Sequence, residues 1–174
     1  MFPYGCKNDN RIEKEIRTLY GQKICIPKGY IFMKSDDITN VQSLFNKDVK
    51  ILTYIDDFQC TSCMHKMVME WGEQVKRIFK KDVPYGIVMS SEQCEPIEEL
   101  LKEYPIGTPV LLYKTDVFAK NNNLKSILSC NRTFMLDKHN QIVVVGEPFG
   151  NEKRWAIYKK VYKILKKEYS HKRE

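Results

Sequence analysis

Much of what this chain reveals is concentrated in one stretch, Lys50-Ile-Leu-Thr-Tyr-Ile-Asp-Asp-Phe-Gln-Cys60-Thr-Ser-Cys63-Met-His-Lys-Met-Val-Met-Glu-Trp71. Its β-branched and aromatic residues at 51–55 predict a strand, and a helical pattern begins near Cys60 after a polar break. Unpaired backbone N–H groups and the helix dipole favour negative charge at such a helix start. The Cys60 thiol is therefore expected to lose its proton more readily than a free thiol.

The spacing of the two cysteines indicates redox chemistry. Cys63 lies three residues after Cys60 on nearly the same helical face, so it can reach back to resolve a mixed disulfide. The same spacing forms half of a zinc site, but no second Cys-x-x-Cys and no pair of histidines accompanies it. The remaining cysteines and the histidines stand singly, at Cys6, Cys25, Cys94, Cys130, His65, His139 and His171. We therefore predict no metal site, although Cu(I) held by thiolates with Met64 or His65 remains an alternative.

Length and charge narrow the classes of protein. The 174 residues, 43% of them hydrophobic, suffice for one domain with a real core. No run reaches the roughly 18 apolar residues of a membrane span. The net charge of +7 arises mostly in residues 151–174, where nine Lys or Arg face three acids. Without an aromatic-rich recognition motif this basic end predicts a solvated helix face, and no nucleic-acid partner.

The N-terminus offers weaker evidence about where the protein is located. A glycine precedes Cys6 and a polar run follows it, which resembles the end of a bacterial lipoprotein signal and makes Cys6 a candidate lipid anchor to a membrane. The charged and long apolar regions of such a signal are missing. The six cysteines show no disulfide framework and fit either a reducing or an oxidising compartment.

Periodicity predicts an N-terminal extension, 1–48, a main domain, 49–169, and a basic tail, 170–174. The extension should hold a helix at 10–20 and an edge strand at 23–27 in which Cys25 is packed. In the main domain we expect further strands at 82–90 and 108–114, and helices from Cys60 to about 81, near 91–104 and after Asp116. A hairpin follows at 132–137 and 141–146, with His139 at its solvated turn. The last helix is expected at 152–169.

Parallel strands joined by right-handed crossovers collect active residues beyond their carboxyl ends. Cys94 follows such a strand, so it is expected near the pair, more plausibly as an ordinary packed thiol than as a participant. Asp56 and Glu70 are the candidate proton acceptors for Cys63, against the alternative that both are surface carboxylates.

This order of elements resembles the thioredoxin superfamily, and more narrowly the TlpA/ResA-like thiol-disulfide oxidoreductases with the related AhpC/TSA peroxiredoxin branch. The likeness spans 49–167 and is most specific at 51–63 and at 133–143, which is similar to the family's Thr-Phe-Leu-Ile-Asp…Gly-x-Ile hairpin. It implies a three-layer α/β fold with a central mixed sheet, helices on both faces, and an inserted strand and helix before the hairpin. It also implies that Cys60 attacks and Cys63 resolves. Asp57 at the peroxiredoxins' threonine position argues against a peroxidatic role.

One departure from these families affects the substrate groove. They place a cis-proline before the hairpin strand, where this chain has Asn131 and Arg132. A cis bond without proline costs roughly 2.5 to 4 kcal/mol, so we expect a trans bond and a differently shaped groove. Candidate groove residues are Phe58, Gln59, Thr61, Ser62, Asn131 and Arg132. Cys-Thr-Ser-Cys without this proline is similar to a lipoprotein-like group of the bacterial envelope.

The resulting hypothesis is a thiol-disulfide oxidoreductase that exchanges disulfides with protein substrates through Cys60 and Cys63. It needs no cofactor beyond its redox-active disulfide, and it implies protein thiols or disulfides and an unidentified electron donor or acceptor as partners. The expected location is the bacterial envelope, in the periplasm or as a membrane-anchored lipoprotein, with the cytoplasm left open. A redox-inactive scaffold and a Cu(I) carrier are the alternatives.

Overall fold

The computed structural model describes residues 9–34, 38–56, 61–80 and 82–171. Its elements, in chain order, are α1 (Asp9–Leu19), β1 (Tyr30–Met33), α2 (Val41–Phe45), β2 (Lys50–Asp56), α3 (Thr61–Phe79), β3 (Tyr85–Ser90), α4 (Cys94–Glu103), β4 (Val110–Tyr113), α5 (Val117–Asn121), a 3₁₀ turn (Ser129–Asn131), β5 (Thr133–Leu136), β6 (Ile142–Val145) and α6 (Glu152–His171). Among these helices none has the length and apolar character needed to cross a bilayer.

The strands form one six-stranded mixed sheet in the order β1-β4-β3-β2-β5-β6. β2, β3 and β4 are parallel, joined by the crossovers through α3 and α4. β1 and β5 run antiparallel to their neighbours, and β5 and β6 make the predicted hairpin. Helices cover both faces of the sheet. This confirms the predicted three-layer α/β architecture with its inserted β4 and α5.

One face of the sheet carries α3, α4 and α6. The apolar residues of α3 recur every three or four positions, which places them on a single buried side of the helix. Burial of each large apolar side chain contributes roughly 1.5–3 kcal/mol. The buried members on this face include Met64, Val68, Val75 and Phe79 of α3, Ile97 and Leu101 of α4, Trp155 and Tyr158 of α6, and Ile51, Ile87 and Met89 of the sheet.

The opposite face is covered by α1, α2 and α5. Leu44 of α2 packs so closely on β3 that a Cβ at Gly86 would lie 2.5 Å from its Cδ2 atom. A glycine at this point of β3 therefore allows α2 to contact the sheet. The buried residues of this layer include Leu19, Leu44, Phe45, Phe118 and Ala119 from the helices and Leu52, Val88, Leu111 and Phe134 from the strands.

The predicted strand at 23–27 is wrong, and the strand of the extension is β1. Only Lys23 forms a bridge, with Gln141. The backbone of Cys25 is instead bound by a side chain, since Asn122 Oδ1 accepts its N–H and Asn122 Nδ2 donates to its carbonyl. Cys25 is consequently an exposed free thiol rather than a packed one. The extension also holds the unpredicted α2, whose first turn is capped by Asn40 through the N–H of Ser43.

The Asn122 side chain joins the extension to the main domain through hydrogen bonds to both backbone groups of Cys25. Its side chain is fully buried (0% exposed) and also donates to the Phe118 carbonyl. We expect Asn122→Ala to lower the free energy of unfolding by about 2–3 kcal/mol, because it leaves the Cys25 N–H and carbonyl without these partners. Urea unfolding measures the change. Asn121→Ala, at an exposed neighbour, is the matched control; an equal loss in the two variants would contradict this role.

Candidate active site

The candidate site lies at the edge where the parallel strands end. Asp56 of β2 pairs with Ser90 of β3, which pairs with Tyr113 of β4, so these carboxyl ends are level. β5 begins and β6 ends at the same edge because both pairings there are antiparallel. α3 also begins here, at Thr61. This edge is therefore where the sequence predicts the redox pair.

The described cysteines divide into two classes. Cys63, in the first turn of α3, is exposed and disulfide-bonded. Cys130, in the 3₁₀ turn before β5, is buried and also disulfide-bonded. Cys25 and Cys94 are free thiols. Cys63 is thus both exposed and disulfide-bonded.

Several predicted site residues fall outside the described part of the chain. These are Cys60, Asp57, the groove candidates Phe58 and Gln59, and the candidate lipid anchor Cys6. Of the other groove candidates, Thr61 is the first residue of α3 and Ser62 is exposed beside Cys63.

Arg132 lies at this edge, and its positive charge is paired with a carboxylate of the protein. Its guanidinium forms an ion pair with Asp56, donates from Nε to the Ile127 carbonyl at 2.8 Å, and lies 5.5 Å from the centre of the Tyr54 ring. The Arg132 side chain is 12% exposed and that of Asp56 32%. Asp56, a candidate proton acceptor, is therefore held by Arg132, whereas the other candidate, Glu70, is exposed on α3.

Asn131 does not line a groove, contrary to the expectation from sequence. It is fully buried, and its Nδ2 donates to Glu15 Oε2 at 2.8 Å. Glu15 also accepts the N–H of Leu128, at 3.1 Å. The 3₁₀ turn directs Asn131 inward toward α1, a contact that depends on how α1 packs. No peptide bond in the described residues is cis, in agreement with the trans bond expected near Asn131.

Cys94 lies near the site edge as a packed thiol. It is the first residue of α4 and is almost completely buried, and its Sγ donates to the Ser91 carbonyl at 3.0 Å. Burial raises the pKa of this thiol. A thiol with a raised pKa forms little thiolate and is a poor nucleophile. The structure thus favours the ordinary packed role over participation.

A chain of buried hydroxyl groups lies on the sheet face that α3 covers. Tyr85 donates to Thr53 Oγ1 at 3.0 Å, and Thr53 shares a 3.0 Å hydrogen bond with Thr133. Tyr158 donates to the Gly146 carbonyl at 2.9 Å, and burial raises its pKa. The first two bonds link β3, β2 and β5, and the Tyr158 hydroxyl, which also lies 3.3 Å from the Thr133 carbonyl oxygen, links α6 to β5.

Glu147 is a carboxylate at this edge that sequence reasoning missed. It follows the end of β6, its N–H donates to the Cys130 carbonyl at 2.8 Å, and its carbonyl accepts from Arg154. Burial raises the pKa of its carboxyl group, and the charge of Arg154 offsets part of that rise. A lone glutamate after a glycine has no sequence pattern, but its place at the end of the hairpin could have indicated this edge.

The raised pKa of Glu147 predicts a pH dependence of stability. The folded state binds the Glu147 proton more tightly than the unfolded state does. Proton binding therefore stabilises the fold fully below the ordinary pKa of 4.5, and this stabilisation is lost as pH rises through the pKa of the folded state. We expect the stability of Glu147→Gln relative to the parent to increase as the pH is raised from acidic to neutral. Urea unfolding at both pH values measures this gain, and Glu92→Gln, which removes an exposed carboxylate, is the control. A constant difference would contradict the prediction.

The described residues contain no group of three or more His, Cys, Asp or Glu side chains placed to hold a metal ion. The other soft ligands considered for Cu(I) have structural contacts: Met64 is buried in the core, and His65 Nε2 lies 2.7 Å from the Tyr104 carbonyl oxygen. His139 is exposed in the hairpin turn, as predicted.

No protein-family model matches this chain, and no curated protein matches it by sequence. Solved structures do match its fold. A candidate thiol:disulfide interchange protein DsbE from Chlorobium tepidum is similar over 84% of this chain and 97% of its own, at 13% identity and a TM-score of 0.55. The thioredoxin domain of a thiol-disulfide oxidoreductase from Bacteroides vulgatus matches 82% of this chain and 96% of its own, at 12% identity and a TM-score of 0.54.

A candidate protein disulfide isomerase from Bacteroides thetaiotaomicron matches 89% of this chain and 95% of its own, at 15% identity and a TM-score of 0.54. The chain therefore has a thioredoxin-like fold. Sequence identity at this level shows the fold alone, so activity has to be argued from the residues of this chain.

Proposed function

We propose that this protein is a thiol-disulfide oxidoreductase that exchanges disulfides with protein substrates through Cys60 and Cys63. The observation that carries the proposal is the accessible, disulfide-bonded Cys63 in the first turn of α3, at the carboxyl end of β2 in a thioredoxin-like sheet. Cys60, three residues earlier, is the proposed partner and the attacking thiol. A helix start favours its thiolate form.

The proposed cycle conserves atoms and electrons. The Cys60 thiolate attacks one sulfur of a substrate disulfide, which forms a mixed disulfide and releases the first substrate thiolate to take a proton. The Cys63 thiolate then attacks the Cys60 sulfur, releases the second substrate thiol and leaves the Cys60–Cys63 disulfide. Two electrons pass to the substrate, and a dithiol protein restores the reduced pair. The same steps in reverse oxidise a substrate dithiol.

Glu147 is the proposed proton acceptor for Cys63. The Cys63 thiol must lose a proton before it can attack, and a carboxylate with a raised pKa suits that task. Glu147 has such a pKa and lies at the same sheet edge. Asp56 is less suited because Arg132 holds it in an ion pair, and Glu70 is exposed.

The proposed location is the bacterial cell envelope. Cys130 is buried and disulfide-bonded, and structural disulfides of this kind persist in oxidising compartments. Within the thioredoxin-like proteins the proposed place is the TlpA/ResA-like group, on the strength of the Cys-Thr-Ser-Cys sequence and the β4 and α5 insertion before the hairpin.

The proposal is tested by equilibrating the protein in graded glutathione buffers, followed by acid quench, alkylation and mass mapping of each cysteine. We expect Cys60 and Cys63 to interconvert together and reversibly, with a midpoint that gives the direction of transfer. Cys25, an exposed free thiol, should form only a mixed disulfide with glutathione as the buffer becomes oxidising, which provides an internal control for pairing.

Other outcomes separate the alternatives. A Cys60–Cys63 disulfide that forms but does not exchange with glutathione or a protein substrate would support a redox-inactive scaffold. Tight stoichiometric Cu(I) binding that is lost in Cys60→Ser and in Cys63→Ser would support a copper carrier. Either result would refute the oxidoreductase.

A further inference from the structure

The outer face of α6 carries a regular stripe of exposed side chains. We use the name outer stripe for Lys153, Ile157, Lys160, Ile164 and Lys167, which follow one another at intervals of four, three, four and three residues. Residues at these intervals lie along one side of a helix. All five are exposed, Ile157 at 53% and Ile164 at 56%.

The core of the protein does not require the two isoleucines of the outer stripe. The opposite side of α6 already supplies the packing residues Trp155, Tyr158 and Tyr169, which are buried against the sheet. A single exposed apolar side chain is ordinary on a soluble protein. Two large aliphatic side chains, two helical turns apart and flanked by lysines, form instead an apolar line with a positive border.

The lysines of the outer stripe are not paired with carboxylates of the described residues. Within the part of the chain that the structure describes, Lys153, Lys160 and Lys167 have no carboxylate partner, whereas Lys166 on the same helix forms an ion pair with Asp82. Lys159 and Lys163 add further exposed positive charge beside the stripe. A second copy of α6 would bring lysines opposite lysines, so self-association through this face is disfavoured.

We propose that the outer stripe binds an anionic lipid surface, with α6 lying parallel to the membrane plane. Ile157 and Ile164 are about 10 Å apart along the helix and would enter the boundary between headgroups and acyl chains. The lysines on the stripe can direct their ammonium groups to lipid phosphates while their methylene stems cover the apolar line. The convex side of a single helix fits a flat, yielding bilayer better than a protein partner, which would need a groove to receive it.

This inference is independent of the redox proposal, because no residue of the outer stripe belongs to the candidate active site. It concerns the surface to which the protein binds rather than the substrate with which it reacts. Contact through two isoleucines and three lysines implies reversible binding that added salt weakens.

Sedimentation with vesicles tests the proposal. The protein is mixed with vesicles of phosphatidylcholine alone or of phosphatidylcholine with phosphatidylglycerol, at low and at physiological salt. We expect binding about tenfold stronger to the anionic vesicles, weakening as salt is added. Ile157→Ser with Ile164→Ser should lower the bound fraction at constant net charge, and Lys153→Gln with Lys160→Gln and Lys167→Gln should strongly reduce the preference for anionic lipid.

The matched control removes the same charge elsewhere, with Lys14→Gln, Lys23→Gln and Lys28→Gln at exposed positions. This triple variant should retain most of the binding. Equal losses in the two triple variants would show attraction by net charge alone and would overturn the proposal. So would an absence of binding to anionic vesicles, or capture of an acidic protein or a nucleic acid by the stripe in place of lipid. Circular dichroism verifies that each variant is folded.

Discussion

Replacing Cys63 by serine is expected to reduce turnover of protein disulfides to the uncatalysed background. The variant retains Cys60, the proposed attacking thiol, but lacks the thiol proposed to release the substrate, so the reaction should stop after the first exchange. A mixed disulfide between Cys60 and the substrate should therefore accumulate. Non-reducing electrophoresis and mass mapping measure that adduct, and reduction of insulin by the protein with dithiothreitol measures turnover.

Two matched variants control for the loss of a thiol in general. Cys94→Ser removes a thiol near the same sheet edge, but this thiol is buried and donates to the Ser91 carbonyl. Cys25→Ser removes the exposed thiol of the extension. Both should turn over at nearly the parent rate. If Cys94→Ser were as slow as Cys63→Ser, or if Cys63→Ser trapped no adduct, the assigned roles would be wrong.

Replacing Arg132 by glutamine is expected to lower the free energy of unfolding by about 2–3 kcal/mol. Removing one partner of a buried ion pair leaves the other charge uncompensated, at a cost of roughly 3–5 kcal/mol when burial is complete. Asp56 is partly exposed, which places the expected loss below that range. The Ile127 carbonyl also loses its donor, and the Tyr54 ring loses the guanidinium beside it. Urea unfolding measures the change.

A double-mutant cycle separates the ion pair from the other contacts of Arg132. Asp56→Asn with Arg132→Gln should cost about 1–2 kcal/mol less than the sum of the two single changes, because the second change removes a group that the first has already left unpaired. Arg17→Gln is the matched control, since Arg17 and its partner Glu13 are both exposed and such pairs contribute about 0–1 kcal/mol. Strict additivity of the two changes would show that Arg132 acts through packing alone.

Sequence periodicity was enough to predict most of the main domain. The apolar stripe of α3 and the alternation of the β5–β6 hairpin are local patterns, and both elements form where they were predicted. β1 was missed although Tyr and Ile at 30–31 and Phe32 favour strands, because a run of four residues is too short to show a period and is ordered by its pairing with β4. The strand predicted at 23–27 is wrong because the buried side chain of Asn122, which follows α5 and is distant in the sequence, binds the backbone there.

In the candidate site, too, features set by local sequence were predicted and features set by distant residues were not. The position of Cys63 in the first turn of a helix followed from local sequence alone. The inward orientation of Asn131 depends on Glu15, more than a hundred residues earlier in the chain, and could not be read from its neighbours. Glu147 reaches the site edge only because the hairpin folds back along β2, so its position depends on sheet topology rather than on any motif.

The N-terminal segment that follows α1 pairs with both edges of the sheet. Gly21, Gln22 and Ile24 exchange backbone hydrogen bonds with residues 140–142 beside β6, while β1 pairs with β4 at the far side. These contacts give the chain a high contact order, and such long-range pairings form slowly. During synthesis, residues 21–33 emerge early but cannot reach their final places until β4 and β6 have been made. Between the synthesis of β4 and β6 and the docking of residues 21–33, these two strands have open edges, and in this interval the nascent chain is most exposed to strand pairing with its neighbours.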